Sequence, residues 1–310
     1  MPRLRDLIVV GAGPAGVTAA IYAARKKMSV LVLSERVGGQ AVFSGEVANY
    51  PSYQVISGAE LAKKFFDHLS IFPGVEYEEG EVVSLSRDAD ECFTVRTRNG
   101  LFRARSLVIA SGARPRQLGV PGEKEFAGKG VFYCAVCDAP LMRDRVAAVV
   151  GGGNSALDAV LQLEKVARKT LLFTINSELQ GDEVMKEKVL ASRKISVFYS
   201  ALVARIVGGK LVSGMEVLVN GRKKFFAVDG VFVEVGYEPS TGFARGFLKL
   251  NEFNEIIVDR RQAASVPGVF AAGDCTDSPA KQIIVAAGEG AVAALSAWKY
   301  LLARKEKKKR

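Results

Sequence analysis

The sequence predicts an α/β chain of two Rossmann-like domains, the second inserted in the first. Three observations carry that expectation. Residues 11–16 read GAGPAG, between an apolar β-rich run and a helical pattern, and residues 151–156 read GGGNSA in the same setting. Two Gly/Pro-rich stretches, Gly112–Gly122 and Gly236–Gly246, flank the second turn as a pair of linkers would. The segment 118–241 is therefore expected as the inserted domain, with linkers at 114–117 and 242–244, while 1–113 and 245–310 close into the first.

In chain order, Leu7–Val10 is the first strand run, and Pro14–Ala24 is a helix opened by a proline in its first turn, where a missing amide is tolerated. Ser29–Leu33 is a second buried-strand run leading to Glu35, which completes a βαβ unit with parallel strands. The uncharged stretch Leu7–Ala24 has the look of a signal peptide or membrane helix, but Gly11, Gly13 and Pro14 interrupt it where a strand must become a helix. His68 is expected on a helix surface, and Glu91–Thr97 as a strand in which Cys92 is a small apolar residue. The second unit reads as strand 146–150, a helix through Val166 and strand 170–175. Val228–Val235 also reads as a strand, in a meander or at a sheet edge.

Composition narrows the function classes. A hydrophobic content of 49% in 310 residues is that of a globular chain with good cores. Four cysteines, at 92, 134, 137 and 275, are too few and too unevenly spaced for a disulfide scaffold and suit a reducing, cytoplasmic setting. Half of the formal charge of +10 lies in the last seven residues, Arg304–Arg310, which read as a frayed, solvated end. The remainder forms no basic stripe, so neither nucleic acid nor a membrane is expected as a partner.

The two turns carry the first chemistry. In GxGxxG the first glycine permits the tight turn, the second lets backbone approach a pyrophosphate, and the third brings helix and strand close. The anion then lies on the helix N-terminus, where free N–H groups and the dipole favour it. Gly11, Gly13 and Gly16 fit this, and Glu35, at the end of the next strand, is placed to accept from ribose hydroxyls. Gly151, Gly153 and Ala156 form the second, GxGxxA version. Its closing strand ends Phe173, Thr174, Ile175, Asn176, with neither the acid that suits NADH nor the arginine that suits NADPH.

Residues 134–138 read CAVCD, just ahead of the second unit. A structural zinc site wants four ligands, and Cys92, Cys275 and the single histidine supply no second pair, so no metal is expected. A redox dithiol needs only two sulfurs able to bridge, and Asp138 beside Cys137 adds a proton-transfer group. Cys275, after the AAGD turn, is expected to be buried and inert.

Over nearly its full length the chain resembles the low-molecular-weight thioredoxin reductase family, and more closely the C-terminal flavoprotein part of the alkyl hydroperoxide reductase system. GAGPAG, GGQ at 38–40, NYP at 49–51, ASGARPR from Ala110, YCAVCD, GGGNSALDA, VGYEP and GVFAAGDCTDSPAKQIIVAAGEGA from Gly268 carry the likeness. The resemblance implies the FAD/NAD(P)-binding fold and a first domain that holds FAD. Gly11, Gly13, Pro14, Ala15 and Gly16 would lie at the pyrophosphate and Glu35 at the ribose, with Gly39, Gln40, Asn49, Ala110, Ser111 and Gly112 near the cofactor. Asp274, after Gly273, would hold the ribityl chain, with Lys281, Gln282 and Ile283 close to the isoalloxazine.

By the same resemblance Gly151, Gly153, Asn154, Ser155 and Ala156 take the nicotinamide dinucleotide, Cys137 faces the flavin, Cys134 attacks the partner, and Asp138 serves as acid and base. Ala48, Ala159 and Tyr237 depart from common family residues and, with the strand end after Phe173, leave the donor open among NADPH, NADH, a reduced deazaflavin and ferredoxin. The implied activity is reduction of a thioredoxin- or glutaredoxin-like disulfide by a homodimer whose inserted domain rotates about its linkers. An NADH oxidase, a peroxiredoxin-system reductase and a flavin-bound redox sensor stand as alternatives.

Overall fold

The computed structural model describes residues 2–44 and 47–309. The chain divides into two compact units, one built from the N-terminal part, Val47–Arg114 and the chain from Glu238 onward, the other around Pro115–Tyr237. The chain crosses between them at Arg114–Pro115 and Tyr237–Glu238, ahead of the expected second linker. Residues 242–244 instead form a 3-10 turn in the first unit, anchored by buried Thr241 and Ala244. Strands Ala113–Pro115 and Tyr237–Pro239 pair at the crossings, and Arg114 binds Glu238 at 2.6 Å.

The first unit is centred on a five-stranded parallel sheet in the order Val269–Ala271, Leu107–Ile109, Leu7–Ala12, Val30–Val37, Val75–Glu79. Side chains alternate across a strand, so Leu7 and Val9 pack with helices Pro14–Arg25 and Ile283–Lys309, while Ile8 and Val10 pack on the opposite layer. That layer is a four-stranded sheet in the order Leu4–Arg5, Leu101–Ala104, Phe93–Thr97, Val82–Arg87. Cys92, although buried, precedes the strand rather than joining it, because Glu91 takes a left-handed φ of 62° in the turn.

The second unit repeats the plan. Its parallel sheet runs Val131–Phe132, Gly230–Val233, Val146–Val150, Lys169–Phe173, Ile195–Phe198. Ala147 and Val149 meet helix Asn154–Glu164, and Ala148 and Val150 meet the antiparallel sheet Ala201–Gly208, Val212–Val219, Arg222–Phe226. The run read as Val228–Val235 is thus an inner parallel strand, neither meander nor edge, since both of its neighbours pair with it in parallel.

The expected frayed end is helical through Lys309. Good helix formers continue to the end of the pattern, and Arg304 donates to the carbonyls of Asp90 at 2.8 Å and Glu91 at 3.0 Å. Among the described residues, no helix is long and apolar enough to cross a membrane.

Candidate active site

In the first turn Gly11 has a φ of 108°, and a Cβ there would overlap the Ala110 carbonyl oxygen. Ala110 is held in place by donating its amide to Val10 at 2.7 Å. Gly16 presses on the Gly11 carbonyl, so helix Pro14–Arg25 starts directly over the turn, and its cap residue Gly13 contributes no side-chain cap. Helix N-terminal amides are thereby left for an anion. Gly39 packs on Gly13, and the Gly38 amide donates to Ala12 at 2.8 Å, which draws the 38–40 segment to the turn. Glu35 is exposed near the end of strand Val30–Val37.

Across the sheet, the Gly273 amide donates to Glu289 at 2.8 Å, and Gly290 lies so close to the Ala15 carbonyl that any Cβ would collide. These contacts fix the Gly273–Asp274 turn beside the first Gly-rich turn. Half-buried Asp274 makes no hydrogen bond among the described residues. Burial pushes its carboxyl above the usual range, with Lys281 opposing and Glu289 adding to the shift. A hydroxyl-bearing ligand would supply the partner it lacks. Asn49 donates to Gln282 at 3.1 Å, which brings two expected flavin-side residues together. Lys281 is engaged elsewhere, with Glu255 at 2.9 Å and the Thr276 carbonyl. The residues present fit an FAD cradle. Cys275 is fully buried, its thiol donating to Ala272 and Ile109 carbonyls at 3.4 and 3.6 Å.

The second turn copies the backbone of the first. Gly151 has a φ of 152°, and a Cβ would overlap the carbonyl oxygen of Glu234, whose amide donates to Val150 at 2.8 Å. Glu234 therefore stands where Ala110 stands in the first turn. Helix Asn154–Glu164 begins after Gly153, again without a side-chain cap, and Ala156 occupies the third motif position. The strand closing this unit ends at Phe173, short of the expected 175, because Thr174 turns inward and Asn176 donates its amide to the Thr174 hydroxyl. The following loop folds over the turn: the Gln180 amide donates to Gly152 at 2.8 Å and the Asp182 amide to the Asn154 side chain at 2.7 Å.

Ser155 donates its hydroxyl to the Glu234 carboxyl. Burial pushes that carboxyl up to about 7, a rise that the Ser155 hydrogen bond opposes and Asp158 reinforces. Open helix amides and a Cβ-free turn fit a dinucleotide here as well.

Cys134 and Cys137 are joined in a disulfide, with Cα atoms 5.4 Å apart. Cys134 caps the one-turn helix Ala135–Asp138, and its sulfur accepts from the Cys137 amide at 3.1 Å. Cys137 is exposed and Cys134 half-buried. Ala135, Ala139 and Met142 sit in the same core as helix Asn154–Glu164, so dithiol and second turn share one unit. Burial raises the Asp138 carboxyl above its ordinary range.

Sequence reasoning missed four supports. Glu123, fully buried, accepts from the amides of Leu118 and Gly119 at 2.8 and 2.7 Å and from the Tyr133 hydroxyl at 2.9 Å, which ties the entry into this unit to the residue before Cys134. Burial, with the Glu123 contact, drives the Tyr133 phenol upward. Glu289 and Glu234 are the other two, and only their place inside or beside the quoted GEGA and VGYEP segments could have marked them. Among the described residues, no three metal-ligating side chains gather.

A family model described as pyridine nucleotide-disulphide oxidoreductase matches residues 5–290. The F component of alkyl hydroperoxide reductase from Pseudomonas aeruginosa is 39% identical over 309 residues, covering 96% of this chain and 58% of that protein. An NADH dehydrogenase of Bacillus subtilis is 38% identical over 304 residues, with 96% and 58% covered. The chain thus spans 58% of the length of each of these curated relatives. The crystal structure of Lactococcus lactis thioredoxin reductase superposes with a TM-score of 0.94 at 33% identity, covering 96% of this chain and 99% of that one. The chain belongs to the pyridine nucleotide-disulphide oxidoreductase family, and its two α/β units have the thioredoxin reductase fold.

Proposed function

We propose that this chain is a flavin-dependent disulfide reductase that passes electrons from a low-potential donor to a thioredoxin- or glutaredoxin-like protein. The observation that carries this reading is the Cys134–Cys137 disulfide built into the unit that holds the second dinucleotide turn. FAD, when bound, supplies the two-electron relay between donor and disulfide. The chain's own work begins with orientation. The Gly11 turn and the open amides of helix Pro14–Arg25 would receive the pyrophosphate, Glu35 the ribose, and Asp274 a hydroxyl of the ribityl chain.

Reduction of Cys134–Cys137 takes two electrons and two protons and yields two thiols. Cys134, ionised, attacks a sulfur of the partner's disulfide. A Cys134–partner bond forms, and the displaced partner sulfur leaves as thiolate and takes a proton. Cys137 then attacks Cys134, restores the intrachain disulfide and releases the second partner thiol. The Cys137 amide, donating to the Cys134 sulfur, favours its thiolate. Asp138, next to Cys137 and with its carboxyl raised by burial, is the group that would exchange a proton with a leaving sulfur.

Donor turn and dithiol ride on one unit and the flavin cradle on the other. If both use the same face of the flavin, each reaches it in turn, with the two crossings as the hinge. We place the enzyme in the reducing cytoplasm, in keeping with two free, buried cysteines, Cys92 and Cys275, and take it to be a homodimer as the family resemblance implies. The likeness to the alkyl hydroperoxide reductase component favours one second reading, a reductase feeding a peroxiredoxin.

Cys134→Ser tests the proposal. The variant should retain flavin, bleach with the wild-type donor under anaerobic conditions, and lose reduction of a thioredoxin-like disulfide. Wild-type disulfide reduction by the variant would sink the dithiol route. NADPH, NADH, a reduced deazaflavin and reduced ferredoxin are the donors to screen.

A further inference from the structure

We infer that Glu234 determines donor access at the second turn: with its carboxyl protonated the turn accepts a dinucleotide pyrophosphate, and with it ionised the turn excludes one. The inference rests on the reading of this turn as a dinucleotide site. Its first support is positional. Strand Leu107–Ile109 flanks the first turn as Gly230–Val233 flanks the second, and the residue after each strand donates its amide to the residue before the glycine, Ala110 to Val10 and Glu234 to Val150. In both cases a Cβ on the glycine would strike that residue's carbonyl oxygen. Where the flavin-side turn has a methyl group, the donor-side turn thus has a carboxyl.

The second support is contact. The Glu234 carboxyl accepts from the Ser155 hydroxyl, in the first turn of helix Asn154–Glu164, at the end that would take a pyrophosphate. Two like charges in that space cannot both be desolvated. A neutral carboxyl removes the repulsion and gains an O–H to donate to a phosphate oxygen. The charged neighbour of Glu234 is Asp158, one turn along the same helix, and it also disfavours the ionised form. Strands Val146–Val150 and Gly230–Val233 and the Gly151–Gly153 turn carry no charge. Burial already holds the carboxyl up to about 7, so both forms coexist near neutrality.

Binding should therefore take up a proton. Titration calorimetry of the FAD-loaded full chain with ADP-ribose, which carries the pyrophosphate but transfers no hydride, reads this directly. In the wild-type chain affinity should fall roughly tenfold per pH unit above about pH 7, with close to one proton absorbed per ligand in buffers of different ionisation enthalpy. Glu234→Gln, neutral and of the same size, should bind at pH 8.5 at least tenfold more tightly than wild type, with no proton uptake. Equal affinity from pH 6 to 8.5 in the wild type, or a Glu234→Gln chain that keeps the wild-type pH slope, overturns the role of Glu234 and leaves the dinucleotide site standing. Absence of ADP-ribose and NADH binding by both folded, flavin-loaded proteins at pH 6 overturns the site and this inference with it.

Discussion

The two Gly-rich turns share one backbone and differ in where each places its acid. The first carries its acid, Glu35, on the strand that follows the helix and has Ala110 on the other flank. The second has exposed Ile175 two residues past Phe173, the register partner of Val150, and carries its acid, Glu234, on the flank matching Ala110. A carboxyl beside the ribose accepts hydroxyls, whereas one at the helix N-terminus meets phosphate. Sterics therefore fix the turn, and the two carboxyls outside the glycine motif are the side chains by which the two turns differ most.

Alanine at the first glycine of each turn is the strongest way to break this comparison. Gly11→Ala places a Cβ on the Ala110 carbonyl oxygen at a φ of 108°, and the purified protein is expected to lose its yellow chromophore completely. Gly151→Ala makes the same collision with Glu234, yet should keep flavin and lose reduction by the donor. An absorbance spectrum before and after anaerobic donor addition separates the two. Flavin retained in Gly11→Ala would end the assignment of the first turn.

Glu234 offers a smaller test in the absence of any ligand. Its folded-state carboxyl is raised from 4.5 to about 7, so the native state holds the proton more tightly than the unfolded chain. The associated stability is fully present below about pH 4.5 and is lost as pH rises to about 7, on the order of 3 kcal/mol. Thermal midpoints at pH 5 and pH 8 should show that loss in wild type and its absence in Glu234→Gln. A parallel decline in both proteins would assign the loss to other groups. Ala156→Gly should have the least effect, about 1 kcal/mol from helix propensity. The Gly16 equivalent already tolerates a methyl group here, so donor reduction should persist in the variant. If chemical denaturation showed a loss of unfolding free energy several-fold larger than that, Ala156 would be packing the helix onto Gly151 rather than merely filling space.

Local spacing made the two turns, the dithiol and the alternation of buried strands legible, because each is specified within a few residues. The CxxC needed no tertiary knowledge, since a helical turn begun at Cys134 brings its Cα within 5.4 Å of the Cys137 Cα. Glu123 and Tyr133 were not legible, because their value lies in a hydrogen bond between residues ten apart in the chain. Glu289 was hidden inside a helix whose pattern reads only as a good helix former. The second crossing was misplaced because Gly and Pro mark several turns between 236 and 246 alike, and only burial of Thr241 and Ala244 tells which belongs to the first unit. The charged tail looked solvated because Arg304 finds its carbonyl partners about two hundred residues earlier.

The first unit is sewn from distant pieces of chain, whereas Pro115–Tyr237 is one unbroken stretch. During synthesis the inserted lobe can acquire its whole core, sulfurs included, while the flavin cradle still lacks Gly273, Asp274 and Glu289. Cofactor capture by the proposed cradle would then wait for synthesis of Gly273, Asp274 and Glu289. A chain ending before Gly273 should hold a finished dithiol lobe and no pigment.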